Sequence, residues 1–436
     1  MPFHQTKKLS VYIFLLLSSL FLIRYLLIGH AVYGDGIYYY SYTRSLVKDK
    51  DLHFANELGH HWNPTSNNSL TEVMPDNITQ RTNTNLVANK YSIGAPLAWL
   101  PIFTLTDVVA QTLHQFNPSF PSNGYADIYQ ISLGLFNIGL IAWGIKLLVK
   151  FWSQFFPSKT TWLAVILALF ATNLIYYGAL DVINSHPLSF LLSTLLLNHW
   201  WQKRQAKNWQ PWWWLGVLIG LMAITRTQHL IFLILVSLET IIRLGPKQLK
   251  NILVMLVGTV VVFTPQLLVW HHLYGTIISP YLLAGEGFNF LKPHLLGILL
   301  NPQAGLLLWT PVYGLAVFGL LKYHQKNPAL AKICLLVFVS QFYLISSWSG
   351  WTQGEAFSVR MLINTLPFLT GGLAFLLEKW QSKFNQKLIY GLVCLLISYN
   401  LLSIGYFQLV WQNPTFDRGK ITQEQRWDKL KQILNK

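Results

Sequence analysis

An aspartate set between two glycines, Gly34-Asp35-Gly36, opens the segment GDGIYYYSYTR. Glycine carries no Cβ, so the backbone there can bend and come close to a ligand while presenting the carboxylate. A carboxylate held in that way can take the proton of an attacking hydroxyl as a general base. It can equally be an aspartate that caps a turn or helix. Glu57, in DLHFANELGHHWNP, is a second catalytic candidate for the same role. Lys90 in NKYSIGAP, Arg226 in TRTQ and Arg360 in WSGWTQGEAFSVR are cations next to apolar runs. Such groups bind phosphate oxygens through charge-assisted bonds, which are strongest where water is excluded. The alternative for Lys90 and Arg360 is interfacial anchoring, and for Arg226 a structural pairing. Tyr38, Tyr91, His186, Trp351 and Glu355 complete the set as substrate-binding candidates. The adjacent pairs His60-His61 and His271-His272 lack the His-x-x-x-His spacing that would bring two rings to one metal ion.

These residues lie between long apolar runs, and the composition says what the runs do. Charged residues make up 11% of the chain, against about 25% in a soluble protein that must cover its surface. With mean hydropathy +0.38 and 18 Trp and 20 Tyr, the exterior reads as lipid-facing with aromatic belts at the interfaces. Soluble enzyme folds and secreted disulfide scaffolds are excluded. Cys334 and Cys394 both fall inside apolar runs and form no metal-binding spacing. Runs near the length of a spanning helix, about 20 residues, occur at 10–30, 127–147, 161–180, 186–201, 211–226, 228–243, 252–271, 304–321, 330–347, 361–378 and 388–411. The first is longer than a signal-peptide core and has no small-residue cleavage site, so it reads as an anchor.

Lys7 and Lys8 place the N-terminus in the cytoplasm. Alternating sides from there gathers Lys146, Lys150 and Lys159, then Lys203, Arg204 and Lys207, and later groups through Lys379, Lys383 and Lys387 at the inner ends. Most acids, Asp35, Glu57, Glu286 and Glu355 among them, fall outside. The net charge of +16 is thus accounted for by topology, and no nucleic-acid partner is implied. Residues 93–113 are apolar too, but counting them as a span would put Lys146, Lys150 and Lys159 outside. With two prolines and Asp107, they read as a juxtamembrane helix on the outer surface. The expected fold is an all-α polytopic membrane domain over 1–411 with about 11 transmembrane helices. Its long first extracytoplasmic loop, 31–126, contains juxtamembrane helices. A basic amphipathic tail, 412–436, follows, and its side stays open. Asn67-Asn68-Ser69 and Asn77-Ile78-Thr79 match the N-glycosylation pattern. Arg24 is the charge nearest to mid-membrane, and it can snorkel to the surface. So few buried charges argue against an ion pump or a selective pore.

A first span ending in GDG-x-x-Y, a long outer loop, and then NKYSIGAPLAWLPIF resemble the GT-C glycosyltransferases, which include the protein O-mannosyltransferases and the lipid A aminoarabinose transferase. GLMAITRTQHL, GLLLWTPVYGLAVFGL and WTQGEAFSVRMLINTLPF continue the resemblance in order. It covers most of residues 9–380. The resemblance implies a GT-C fold in the plasma or inner membrane, with an inverting active site facing the extracytoplasmic side. The donor would be a sugar on a polyprenyl phosphate, and the acceptor a lipid, glycan or protein. The essential aspartate of the family's first loop maps onto Asp35, and its phosphate-contacting lysine onto Lys90. Two departures stand out: Asp35 is followed by Gly36 where the family has an acid, and Lys90 by Tyr-Ser-Ile-Gly-Ala-Pro where it has two prolines. The chemistry needs no cofactor, and no residue spacing calls for a divalent metal. A flippase or ligase of lipid-linked saccharides is the competing expectation, and a non-catalytic membrane scaffold a third.

Overall fold

The computed structural model describes residues 3–60, 81–354 and 356–408. The two glycosylation-type motifs, His61, Glu355 and the tail 412–436 lie outside them. The described chain is all-α with no sheet, and seven of its helices are long and apolar enough to cross a membrane. This is a multi-pass integral membrane protein. The seven are Leu9–Ile28, Asp127–Trp152, Thr227–Leu244, Pro246–Tyr274, Pro328–Ser347, Arg360–Gln381 and Gln386–Tyr406. The other four apolar runs differ from the eleven-span expectation because they form shorter or more polar helices. In the run 161–180, helix stops at Phe170 after 13 residues. At 1.5 Å per residue that is about 20 Å, short of a bilayer core of about 30 Å. The stop is chemical: Thr172 Oγ1 donates to Ala168 O at 2.6 Å and accepts from Leu174 N at 3.2 Å, so a side chain takes over backbone partners.

The chain forms two compact units, Met1–Leu148 with Tyr177–Phe288, and Val149–Tyr176 with Asn289–Lys436. In the first, helix α1 (Phe3–Ile28) is largely apolar over its span Leu9–Ile28, with Arg24 the charge within it. Ile13, Leu17, Phe21 and Tyr25, spaced by four, are buried, while Leu26 and Leu27 are 82% and 81% exposed. One stripe therefore packs on protein and the rest is left for lipid. Short helices α2 (Asp35–Arg44) and α3 (Ala55–Gly59) follow. The stretch read as juxtamembrane is helix α4 (Gly94–Phe116), which is not among the seven. Trp99, Phe103, Asp107 and Ala110 form its buried face, and Leu105, Val108 and Val109 are exposed. Asp107 is tolerated in this apolar helix because Lys48 Nζ at 2.8 Å and Tyr129 Oη at 2.6 Å both bind it.

Helix α5 (Asp127–Trp152) begins with a carboxylate that accepts the Tyr25 hydroxyl at 2.6 Å, tying α1 to it. After α6 (Ser158–Phe170) come α7 (His186–Lys203), α8 (Gln210–Thr225), α9 (Ile231–Leu244) and α10 (Leu249–Tyr274). Helices α8 and α10 meet backbone to backbone: a Cβ on Gly216 would lie 2.1 Å from Met255 O. Gly216 and Gly220, four apart, provide the small-residue seam such close helix pairs use in membranes. In the second unit, α6 is joined by α11 (Val312–Tyr323), α12 (Pro328–Ser347), α13 (Leu366–Gln381) and α14 (Gln386–Tyr406). There Trp152 lies over Gly371 and donates through Nε1 to Pro367 O at 2.9 Å.

Candidate functional site

The chain leaves α1 and turns through Gly34, whose φ of +56° suits glycine and places Asp35 as the first residue of α2. The turn is held from two sides. Tyr33 donates to Leu180 O at 2.8 Å, and Arg24 bonds both the Tyr33 hydroxyl and, at 3.1 Å, the same carbonyl. Arg24 is thus tied into the protein, where snorkelling was the sequence expectation. Gly36 is the second constraint, since a Cβ there would sit 2.5 Å from Ile183 O. The first turn of α2 therefore lies directly against the DVINSHP segment.

Asp35 Oδ1 accepts a hydrogen bond from Tyr91 Oη at 2.9 Å. Tyr91 is fixed by an aromatic surround: its ring stacks on Tyr38 at 4.8 Å and meets Tyr39 edge-on at 5.2 Å. Behind it, fully buried Asn89 donates to Tyr38 O at 2.9 Å, accepts from Tyr91 N at 3.2 Å, and receives the Tyr42 hydroxyl on its carbonyl at 3.1 Å. Two residues after Tyr91, Ile93 N donates to Gln266 Oε1 of α10 at 2.9 Å. Next comes Gly94, whose absent Cβ would be 2.5 Å from Thr225 N. The start of α4 therefore abuts the end of α8.

That contact brings in Arg226. It leaves α8 in extended conformation and donates from Nη1 to Ser185 Oγ at 3.1 Å, and Ser185 in turn donates to Tyr39 Oη at 3.0 Å. Lys90 forms an ion pair with Glu286 and lies 5.0 Å over the Tyr281 ring. The Tyr281 hydroxyl is held well above its ordinary pKa, first by burial, with Tyr39, Asp35 and Glu286 raising it further and Arg226 opposing. One half-buried patch thus gathers Asp35, Lys90, Arg226, Glu286, Tyr91 and Tyr281. It offers carboxylates that can take a proton and cations that can bind an anion.

His186 starts α7 beside Ser185; it is buried, with its ring 4.8 Å from Tyr177 and its backbone N–H on Asn184 Oδ1 at 2.7 Å. Glu57 is placed elsewhere. It is 1% exposed, and its Oε1 accepts from Arg44 Nη1 at 2.6 Å. Arg44 also binds Asp49 at 2.6 Å and Asn123 O at 3.0 Å and lies 4.2 Å over the Tyr125 ring. Burial, with the neighbouring Asp49 carboxylate, pushes Glu57 up to about 8. Burial also acts upward on Asp49, but hydrogen bonds from Glu57 and Asn56 and the Arg44 guanidinium hold it below its ordinary value. The two carboxylates lie in the segment 31–126, and their bonding partners are residues of that segment. Trp351 and Arg360 belong to the second unit. Trp351 stacks on His294 at 4.7 Å and fills the space beside Gly297. Arg360 is part-buried, and its backbone N–H donates to Ser358 O at 3.0 Å.

Asn89, Ser185, Tyr281 and Glu286 escaped the sequence reading as site residues. Glu286 had a signal: Gly285-Glu286-Gly287 repeats the glycine-flanked acid of Gly34-Asp35-Gly36. The other three lack one, because their roles arise from distant pairings. Among the described residues, no three His, Cys, Asp or Glu side chains converge as a metal ion would require. No protein-family model matches the chain, and no curated protein matches it in sequence.

Proposed function

We propose that the protein is a GT-C-type membrane glycosyltransferase, moving a sugar from a polyprenyl-phosphate donor to an acceptor hydroxyl on the extracytoplasmic side. The acceptor class is lipid, glycan or protein. Seven spanning helices with four shorter apolar runs are compatible with the roughly eleven-helix GT-C plan. The observation that carries the reading is the Asp35 patch, where a carboxylate bonded to Tyr91 shares surroundings with Lys90 and Arg226.

In the reaction, the acceptor oxygen attacks the anomeric carbon as the bond from that carbon to the phosphate oxygen breaks. Asp35 takes the acceptor's proton, and the bonding pair leaves on the phosphate as polyprenyl phosphate. Attack opposite the leaving group inverts the anomeric centre. Lys90 and Arg226 bind the phosphate and stabilise the charge it gains, which matters most away from bulk water. Tyr91 orients Asp35, and Tyr38 supplies an aromatic face for the sugar ring.

The test is to incubate purified protein with a polyprenyl-monophosphate sugar and membrane extract as the acceptor source, measuring release of the free carrier phosphate. Wild-type protein should release it. Asp35→Asn, which keeps shape and loses basicity, should be about 10²–10⁴ slower and still bind the carrier. Undiminished release by Asp35→Asn would remove Asp35 from the mechanism. Translocation of the intact donor without cleavage would replace the transferase reading with the flippase.

A further inference from the structure

Glu286 sits between two glycines, with Gly285 at φ +78°, on a segment whose Ile277, Ile278, Leu282 and Leu283 are exposed. Its Oε1 holds the Lys90 ammonium, while Oε2 is buried with no hydrogen-bond partner among the described residues. Its backbone N–H donates to Tyr281 O at 2.9 Å. An ion pair this exposed, with Lys90 38% and Glu286 22% accessible, adds little to stability. It nevertheless occupies the cation that stands over Tyr281.

Charge balance gives the pair a purpose. Lys90 and Arg226 contribute two positive charges to the patch, and Asp35 and Glu286 two negative ones, so it is neutral as it stands. A sugar–phosphate diester carries one negative charge. Adding it to the four charges leaves an excess anion in a half-buried site, whereas exchanging it for the Glu286 carboxylate preserves neutrality. The half-satisfied carboxylate loses one salt bridge on leaving and gains hydration for both oxygens. Gly285 and Gly287 allow the backbone to move it away.

Resting on the reading of this patch as a lipid-phosphate sugar site, we infer that Glu286 is the resident counter-ion of Lys90, and that the substrate's phosphate binds by replacing it. Glu286 is then a positioning residue. It keeps Lys90 over Tyr281 in the empty site and withholds it from weaker anions.

The experiment is binding of a short-chain isoprenyl methyl phosphate, a diester with the single negative charge of the donor, to the purified full chain, followed by intrinsic tryptophan fluorescence, for wild type, Lys90→Gln, Glu286→Gln, Glu286→Asp and the double Gln variant. Lys90→Gln should weaken binding. Glu286→Gln should tighten it about two- to fivefold, the scale set by an exposed ion pair. Glu286→Asp should bind like wild type. The double variant should bind as weakly as Lys90→Gln, since Glu286 acts only through that lysine. Weaker or unchanged binding by Glu286→Gln, with Lys90→Gln still weakened, overturns the inference and leaves the phosphate role of Lys90 standing. Unchanged binding by Lys90→Gln removes that role, and the inference with it. A tightening that survives equally in the Lys90→Gln background also overturns it, because the effect would then be a general field and not an exchange.

Discussion

Asp35 meets the Tyr91 hydroxyl at the edge of a half-buried patch, whereas Glu57 is sealed against Arg44 and Asp49. The difference fixes what pH does to each region. Glu57 titrates at about 8 in the folded chain against 4.5 as a free side chain. A carboxyl whose pKa is raised by folding stabilises the fold while protonated, so its contribution is complete below the free value and disappears as pH rises through about 8. Beyond that point, two carboxylates share one guanidinium. Between pH 7 and pH 9 the protein should lose about 1 kcal/mol of stability from this group, read as a falling melting temperature. Glu57→Gln should flatten that fall. An equal fall in Glu57→Gln would mean that Glu57 is already ionised in the fold. The sequence put Asp35 first and kept Glu57 as the fallback, but it could not show Glu57 buried, because its partner Arg44 lies 13 residues away across a turn.

The patch exists because elements far apart in sequence abut with nothing between their backbones. Gly94 is where α4 meets the last turn of α8, and this contact brings Lys90 and Tyr91 to the side of Arg226. A methyl at Gly94 would fall 2.5 Å from Thr225 N and 2.6 Å from Ile224 C. Both are backbone atoms that no rotamer change can clear, so one helix must shift. Gly94→Ala should therefore cost about 1–3 kcal/mol, as overpacking does. It should also weaken isoprenyl-phosphate binding, because it separates the two cations. Wild-type melting and binding in Gly94→Ala would show that the helices do not touch there. Element scale is also where the sequence was most legible. Hydropathy located every one of the seven long apolar helices, because lipid leaves no alternative to apolar runs with internally paired backbone. Its lapses have particular causes. The run 161–180 looks continuous, yet Thr172 ends the helix by bonding backbone, which an apolarity count cannot register. Asp107 was legible as a residue that set its stretch apart from a span, while its partners Lys48 and Tyr129 were not.

At the scale of the whole chain, what decides whether the Asp35 patch can meet an extracytoplasmic donor is which face of the membrane it occupies. The basic residues point to an expectation by their grouping: Lys203, Arg204 and Lys207 cluster where α7 ends and the link to α8 begins, and Lys247 and Lys250 where α9 gives way to α10. Lys and Arg are retained on the cytoplasmic side during insertion, so both connections are expected inside. Helices α8 and α10 run back from them toward Arg226 and Tyr274, at the ends that carry the patch. A cysteine at exposed Asn83, in the turn before Lys90, should then react with a membrane-impermeant maleimide in intact cells. One at exposed Gln205, between α7 and α8, should react only after permeabilisation. The background should carry Cys394→Ser, because that native cysteine is exposed, whereas Cys334 is buried and can stay. Labelling of Gln205→Cys but not Asn83→Cys in intact cells would put Asp35, Lys90 and Arg226 in the cytoplasm. A glycosyltransferase there would draw on soluble nucleotide sugars, and the exchange of Glu286 for a lipid phosphate would lose its substrate.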